Sequence, residues 1–334
     1  MTALTRRAFT LSTIVCLIVA LATFGGYRLA GSSGPGRPHL RLAGTVLSTW
    51  VSGTGLDSNA ASPSFCQRGT PCKSFQTAYG VTAPGGVLAA ADAGPFAPLS
   101  ISETITVDGG SGKGWIQSFA DGIDVNAGPS DVVILRHLQI NGVGDTGRYG
   151  ISFTGGKALI LDDVTIEGFS QHGIFVRAPG PASVTITNSH IQSNGGAGIA
   201  IAPSGGTVQV NISHSLVAGN YFGVTAQDGA DVSLTDSVVT GSTSIGVGCQ
   251  TYGNGACTIQ TAHDRLDHNW AAVWMNHAAG NGQITESLSD DDIFSNSYGI
   301  YGDVGGTLNA ASTGNNRFMN NFQDGAASST MTEK

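Results

Sequence analysis

From residue 122 to residue 300 apolar positions alternate with polar ones in runs of four to six, broken by glycine, serine, asparagine and aspartate. Alternation at period two predicts half-buried strands, and the inward positions are mainly Ile and Val, which suit a pleated, half-buried surface. The pattern itself repeats. A Gly-Ile or Gly-Val pair recurs at Gly122-Ile123, Gly150-Ile151, Gly173-Ile174, Gly198-Ile199, Gly223-Val224, Gly246-Val247 and Gly299-Ile300, with Ala272-Val273 filling the one gap. Successive steps are 28, 23, 25, 25, 23, 26 and 27 residues. A period in this range marks stacked units, none of which can bury its apolar face alone.

No stretch of the repeat reads as helix. Leucine-rich repeats share the period but need an L-x-x-L-x-L-x-x-N frame, and these apolar positions follow another spacing. Coils of about 25 residues with two or three short strands and glycine-bearing turns predict an all-β solenoid, a single-stranded right-handed parallel β-helix of about eight coils. At about 4.8 Å per coil the stack is about 38 Å long. Ahead of it, Phe75, Ala78 and Tyr79 share one helical face and Pro84-Gly85-Gly86 ends the pattern, which predicts an N-terminal capping helix. Residues 46–322 form the β-helix domain, 46–107 as cap and first strands and 108–322 as coils. Residues 314–322 read as a partial last coil, and 323–334 as a disordered tail.

The repeat resembles the exported bacterial right-handed β-helix proteins of the pectate-lyase-like superfamily. So do Thr49-Trp50-Val51-Ser52-Gly53, the block from Cys66 to Phe75, and Leu99-Ser100-Ile101-Ser102-Glu103-Thr104-Ile105-Thr106-Val107. The resemblance covers residues 46 to about 322. It implies this fold and a carbohydrate partner, while fold alone transfers no chemistry. Motifs of the active relatives are incomplete here. Asp162-Asp163 is present, but Gln171-His172-Gly173 stands where polygalacturonase-like enzymes carry Gly-His-Gly, and the Arg-x-Lys is missing. The Arg-x-Pro-x-x-Arg of pectate lyases is absent too. Tyr149-Gly150-Ile151 echoes alginate epimerases without their Asp-Pro-His.

The amino terminus bears on compartment. Thr5-Arg6-Arg7-Ala8-Phe9 precedes an apolar run from Ala8 to Phe24, a charged region followed by a hydrophobic one that resembles a twin-arginine export signal. Residues 1–31 are read as an export signal, with cleavage after Ala22 one option, or as an uncleaved anchor; 32–45 are a linker. Cys16 has no small residue before it, which argues against a lipoprotein. The expected location is periplasmic or secreted. The other four cysteines fall into local pairs, Cys66 with Cys72 and Cys249 with Cys257, as disulfides of an oxidising compartment would. A formal charge of −8, with 15 basic against 23 acidic residues, is unsuited to tracking phosphates, so nucleic acid is excluded as a partner.

Residues at one phase of successive coils should stack. Three positions before the apolar residue of each second strand, the column reads His137, Asp163, Asn188, His214, Asp236, His263, Asp290. One reading is a corner ladder satisfying backbone groups. The functional reading looks to the last coils, where His263-Asp264-Arg265 and Asp267-His268 meet Asp290-Asp291-Asp292. Crowded carboxylates can divide into acid and base, as glycoside hydrolysis requires, or hold calcium. The catalytic candidates are His263 as base, Asp264, Asp290 and Asp291 as acids or metal ligands, and Arg265 as partner of substrate charge. His263, His268 and His277 are weighed as metal ligands, though surface histidines mostly bind nothing. Trp270, Trp274, Tyr298 and Tyr301 gather on two adjacent coils and offer flat platforms for sugar rings. The expectation is a monomer engaging a polysaccharide or surface glycan through its C-terminal coils, with a lyase or hydrolase, or a non-catalytic surface protein, as alternatives.

Overall fold

The computed structural model describes residues 46–278, 282–302, 308–325 and 329–330. The export segment and linker lie outside the described residues. Each coil has three walls, shown by residues 182–207. Ala182–Thr187 forms the first wall, a two-residue corner follows, His190–Gln192 forms the second, and Ala197–Ile201 forms the third. Every wall pairs in parallel with the same wall of the next coil, and the inward side chains line up in columns. Val184, Val210, Val232 and Ile259 share the first wall. Ile191, Val217, Val239, Leu266, Ile293 and Phe318 share the second. Ile199, Val224, Val247, Val273 and Ile300 share the third. The first and second walls belong to one sheet and the third to another. One continuous core runs down the axis, each large side chain in it contributing about 1.5–3 kcal/mol by burial.

The repeat glycine has a packing cause. A Cβ on Gly173 would lie 2.5 Å from Cγ2 of Ile191 and 2.7 Å from the Gly198 carbonyl; on Gly223 it would lie 2.4 Å from Cγ1 of Val239 and 2.3 Å from the Gly246 carbonyl. The head of the third wall thus passes too close to the second for a side chain. Hence the glycine recurs in each of these coils except the one where Ala272 stands in its place.

The polar column also has a backbone cause. His137, Asp163, Asn188, His214, Asp236, His263 and Asp290 all hold φ between +50° and +57°, the left-handed region that Asn, Asp and His tolerate better than other side-chain-bearing residues. They turn the chain sharply between the first and second walls. The ladder that satisfies backbone groups is the next column. Val164 N donates to Ser189 Oγ, Ser189 N to Ser215 Oγ, Ser215 N to Ser237 Oγ and Ser237 N to Asp264 Oδ1. Asp264 N then donates to Asp291 Oδ1 and Asp291 N to Asn316 Oδ1. A second internal ladder of Asn194, Asn220, Asn269, Asn296 and Asn321 lines the next corner.

Helix α1 (Phe75–Val81) is capped by Ser74, whose side chain accepts from Thr77 N, and buries Phe75, Ala78 and Tyr79. Pro84-Gly85-Gly86 does not close this segment as a turn: Thr82–Ala90 is a strand paired with Val46–Val51. Both disulfides, Cys66–Cys72 and Cys249–Cys257, are formed. The expected disordered tail is corrected in part, because Gln323 bridges to Tyr298 and Ser329–Thr330 pairs with Ala311 and Ser312. Among the described residues no helix is long and apolar enough to cross a membrane.

Candidate functional site

In the last coils two grooves flank the second wall. The groove at the first corner, about 430 Å³, is lined by His263, Asp264, Arg265, Asp290, Asp292 and Arg317, with residues of the preceding coil. Left-handed backbone at His263 and Asp290 throws both side chains outward, and His263 Nε2 stands 3.9 Å from Asp290 Oδ2. The other charges meet each other. Arg317 grips Asp292, and Arg265 Nε lies 3.3 Å from Asp267 Oδ2, which His268 Nδ1 also approaches at 3.3 Å. Four of the five catalytic candidates therefore line one groove.

Asp264 and Asp291, expected as acids or metal ligands, nonetheless turn inward. They are 2% and 0% exposed. Asp264 accepts from Ser237 N and Ala262 N; Asp291 accepts from Asp264 N, Ser289 N and Thr261 Oγ1. Burial pushes the Asp264 carboxyl up to about 8, against the backbone hydrogen bond from Ser237 and with help from neighbouring Asp291. Burial likewise pushes Asp291 up to about 6, against the hydroxyl of Thr261. Asp264 Oδ1 and both Asp291 oxygens serve coil-to-coil contacts and Asp264 Oδ2 accepts within its own coil, so a raised pKa here reports a structural ladder rather than a poised acid. Glu286 is a third interior carboxyl, raised well above its ordinary range by complete burial, with Oε1 accepting from Cys249 N.

The groove at the second corner is larger, about 800 Å³, and runs across four coils. Its lining is hydroxyl and amide, including Thr243, Ser295, Ser297 and Asn320, with His268, Trp270 and Phe322 as its rings. Trp270 lies 5.1 Å from Tyr298 and 5.2 Å from Tyr301, ring centre to ring centre, and the two tyrosines are 4.9 Å apart. Trp274 departs from expectation. It is 5% exposed, packed with Ile245 and Ala271 beneath Trp270, Tyr298 and Tyr301. It braces the platform without presenting a face of its own. Among the described residues no group of three or more His, Cys, Asp or Glu side chains converges as a metal set.

Thr243, Ser295, Asn320 and Phe322 were not singled out from sequence, and His268 was weighed only with the charged cluster and as a metal ligand. The signal that could have found them is a second left-handed column, Ser193, Gly219, Gly241, His268, Ser295, Asn320. It is masked by its glycines, which read as ordinary turn residues.

Stacked three-walled coils of this kind define a right-handed parallel β-helix, and residues 104–263 match the family described as "Right handed beta helix region". The protein is thus a right-handed parallel β-helix protein, the fold that its sequence resemblance implied. Two solved structures are similar to it. The Azotobacter vinelandii mannuronan C-5 epimerase AlgE4 A-module is 12% identical with a TM-score of 0.49, over 86% of this chain and 89% of that one. Pectate lyase Pel9A is 13% identical with a TM-score of 0.49, over 88% of this chain and 80% of that one. No curated protein matches the sequence.

Proposed function

We propose that the protein works outside the cytoplasm and binds polysaccharide across its C-terminal coils, in the groove walled by Trp270. The observation that carries this reading is an indole braced by two tyrosines beside a long open groove of hydroxyls and amides. Flat rings cover the apolar faces of sugars while amides and hydroxyls exchange hydrogen bonds with their edges. The two disulfides support the compartment, since such bonds persist in oxidising surroundings. Turnover is not proposed, because hydrogen bonds within their own and the neighbouring coil take up the oxygens of Asp264 and Asp291.

The test is affinity electrophoresis of purified protein through gels carrying polygalacturonate, alginate, xylan or β-glucan, with reducing ends and unsaturated products followed in parallel. Wild type should be retarded by at least one polymer without releasing product. Trp270→Ala should weaken that retardation at least about tenfold, near 1.4 kcal/mol, with an unchanged melting temperature. Equal retardation of wild type and variant would sink the assignment to this groove.

A further inference from the structure

A second group of rings lies on the outer face of the third wall, in coils well before the groove. Tyr149 and His172 stack at 5.7 Å with planes 10° apart, Phe175 lies 4.8 Å from Tyr149 and 5.4 Å from His172, and all three are half-buried. Their positions are fixed. Asp121 Oδ1 accepts from the backbone N–H groups of Arg148 and Tyr149, and its Oδ2 holds the Arg148 guanidinium, which reaches over the Tyr149 ring at 5.1 Å. His172 Nδ1 accepts from Ala197 N, which sets the imidazole plane. Burial pushes that imidazole down to about 4, so it stays a neutral ring at physiological pH. The core uses none of these side chains, since the inward positions here belong to Ile151, Phe153, Ile174 and Val176.

Strand register ties this patch to the other one. Phe175 stands in line with Ala200, Thr225, Gly248, Trp274 and Tyr301. Four ladder steps separate Phe175 from Trp274, about 19 Å at 4.8 Å per step. Between the two ring groups this line carries nothing larger than threonine, and Tyr301 at its far end touches Trp270. One face thus bears a rigid aromatic platform at each end of a track, with Phe222 between them in the adjoining line, packed against the Trp274 cluster.

We infer that Tyr149, His172 and Phe175 form a second contact for the same polysaccharide, which lies lengthwise across the coils. This rests on the reading that Trp270 binds polysaccharide. The ligand is then a chain of many sugars, because a short oligomer reaches only one platform. Tethering makes the second contact intramolecular and multiplies affinity without new chemistry.

The experiment compares short oligomers of about three sugars with long ones of about twelve, prepared from polygalacturonate, alginate, xylan and β-glucan, by isothermal titration. Proteins are wild type, Trp270→Ala and the pair Tyr149→Leu with Phe175→Leu, which keeps apolar volume but removes the flat faces. Wild type should bind the long oligomer at least about tenfold more tightly than the short one. The leucine pair should lose that step while keeping short-oligomer affinity, with wild-type circular dichroism. A leucine pair that keeps the step, or a wild type without one, overturns the lengthwise track and leaves the Trp270 groove standing. A wild type that binds none of the oligomers overturns both.

Discussion

Asp264 and Asp291 show how one residue's setting decides its meaning. Each carboxyl is held above its ordinary range by burial, so the folded state keeps its proton to higher pH than the unfolded chain does. Stability from this source is complete below the ordinary carboxylic value of 3.8 and is lost as pH rises towards about 6 for Asp291 and about 8 for Asp264. Asn316 already fills the same ladder position one coil on, accepting from Asp291 N, so asparagine suits the site. Asp264→Asn should therefore melt higher than wild type at pH 8, by about a few degrees, and flatten the fall between pH 4 and 8. Melting curves across that range decide it, and an undiminished pH slope in the variant would refute the account. Sequence showed that this corner is polar but not which residue points in. A two-residue corner sends His263 outward and Asp264 inward, and both belong to residue types at home in turns. Trp270 and Trp274 pose a similar problem, since exposure depends on which neighbouring rings lie on top.

At the scale of one element, the internal asparagine ladder explains how the second corner is held closed. Asn296 accepts from Asn269 N and donates to the carbonyls of Leu266 and Phe294. Removing its amide takes this partner from the Asn269 N–H and from the carbonyls of Leu266 and Phe294. Asn296→Ala should thus cost about 3 kcal/mol, from roughly 1–3 kcal/mol per stranded group, read as a lower urea midpoint. A loss under about 0.5 kcal/mol would show that water takes over the ladder's role. The strands, their period and the helix face Phe75, Ala78 and Tyr79 were legible because alternation and helical spacing survive in one sequence. The ladders were not, because their partners are 22 to 27 residues apart, and only the stacking register brings them together.

Across the molecule, stability should follow nearest-neighbour contacts between coils, with the Cys249–Cys257 bond closing one corner between the third and first walls. Replacing Cys249 and Cys257 by serine should cost about 2–3 kcal/mol for so short a loop, and reductant should lower wild type by more than the variant, which keeps only Cys66–Cys72. A reductant-insensitive wild type would contradict it. The three corners also differ in a way that bears on descent. From Ala182 to Tyr298 the first corner spans two residues, as in 188–189, 214–215 and 263–264, and the second three or four. The third, by contrast, ranges from 228–229 to 202–207. Left-handed residues five apart, such as Asn188 and Ser193 or Asp290 and Ser295, lock the first two. In these coils variation in length can therefore accumulate on one flank only, and adding a whole coil lengthens this stretch without disturbing the face that carries its rings.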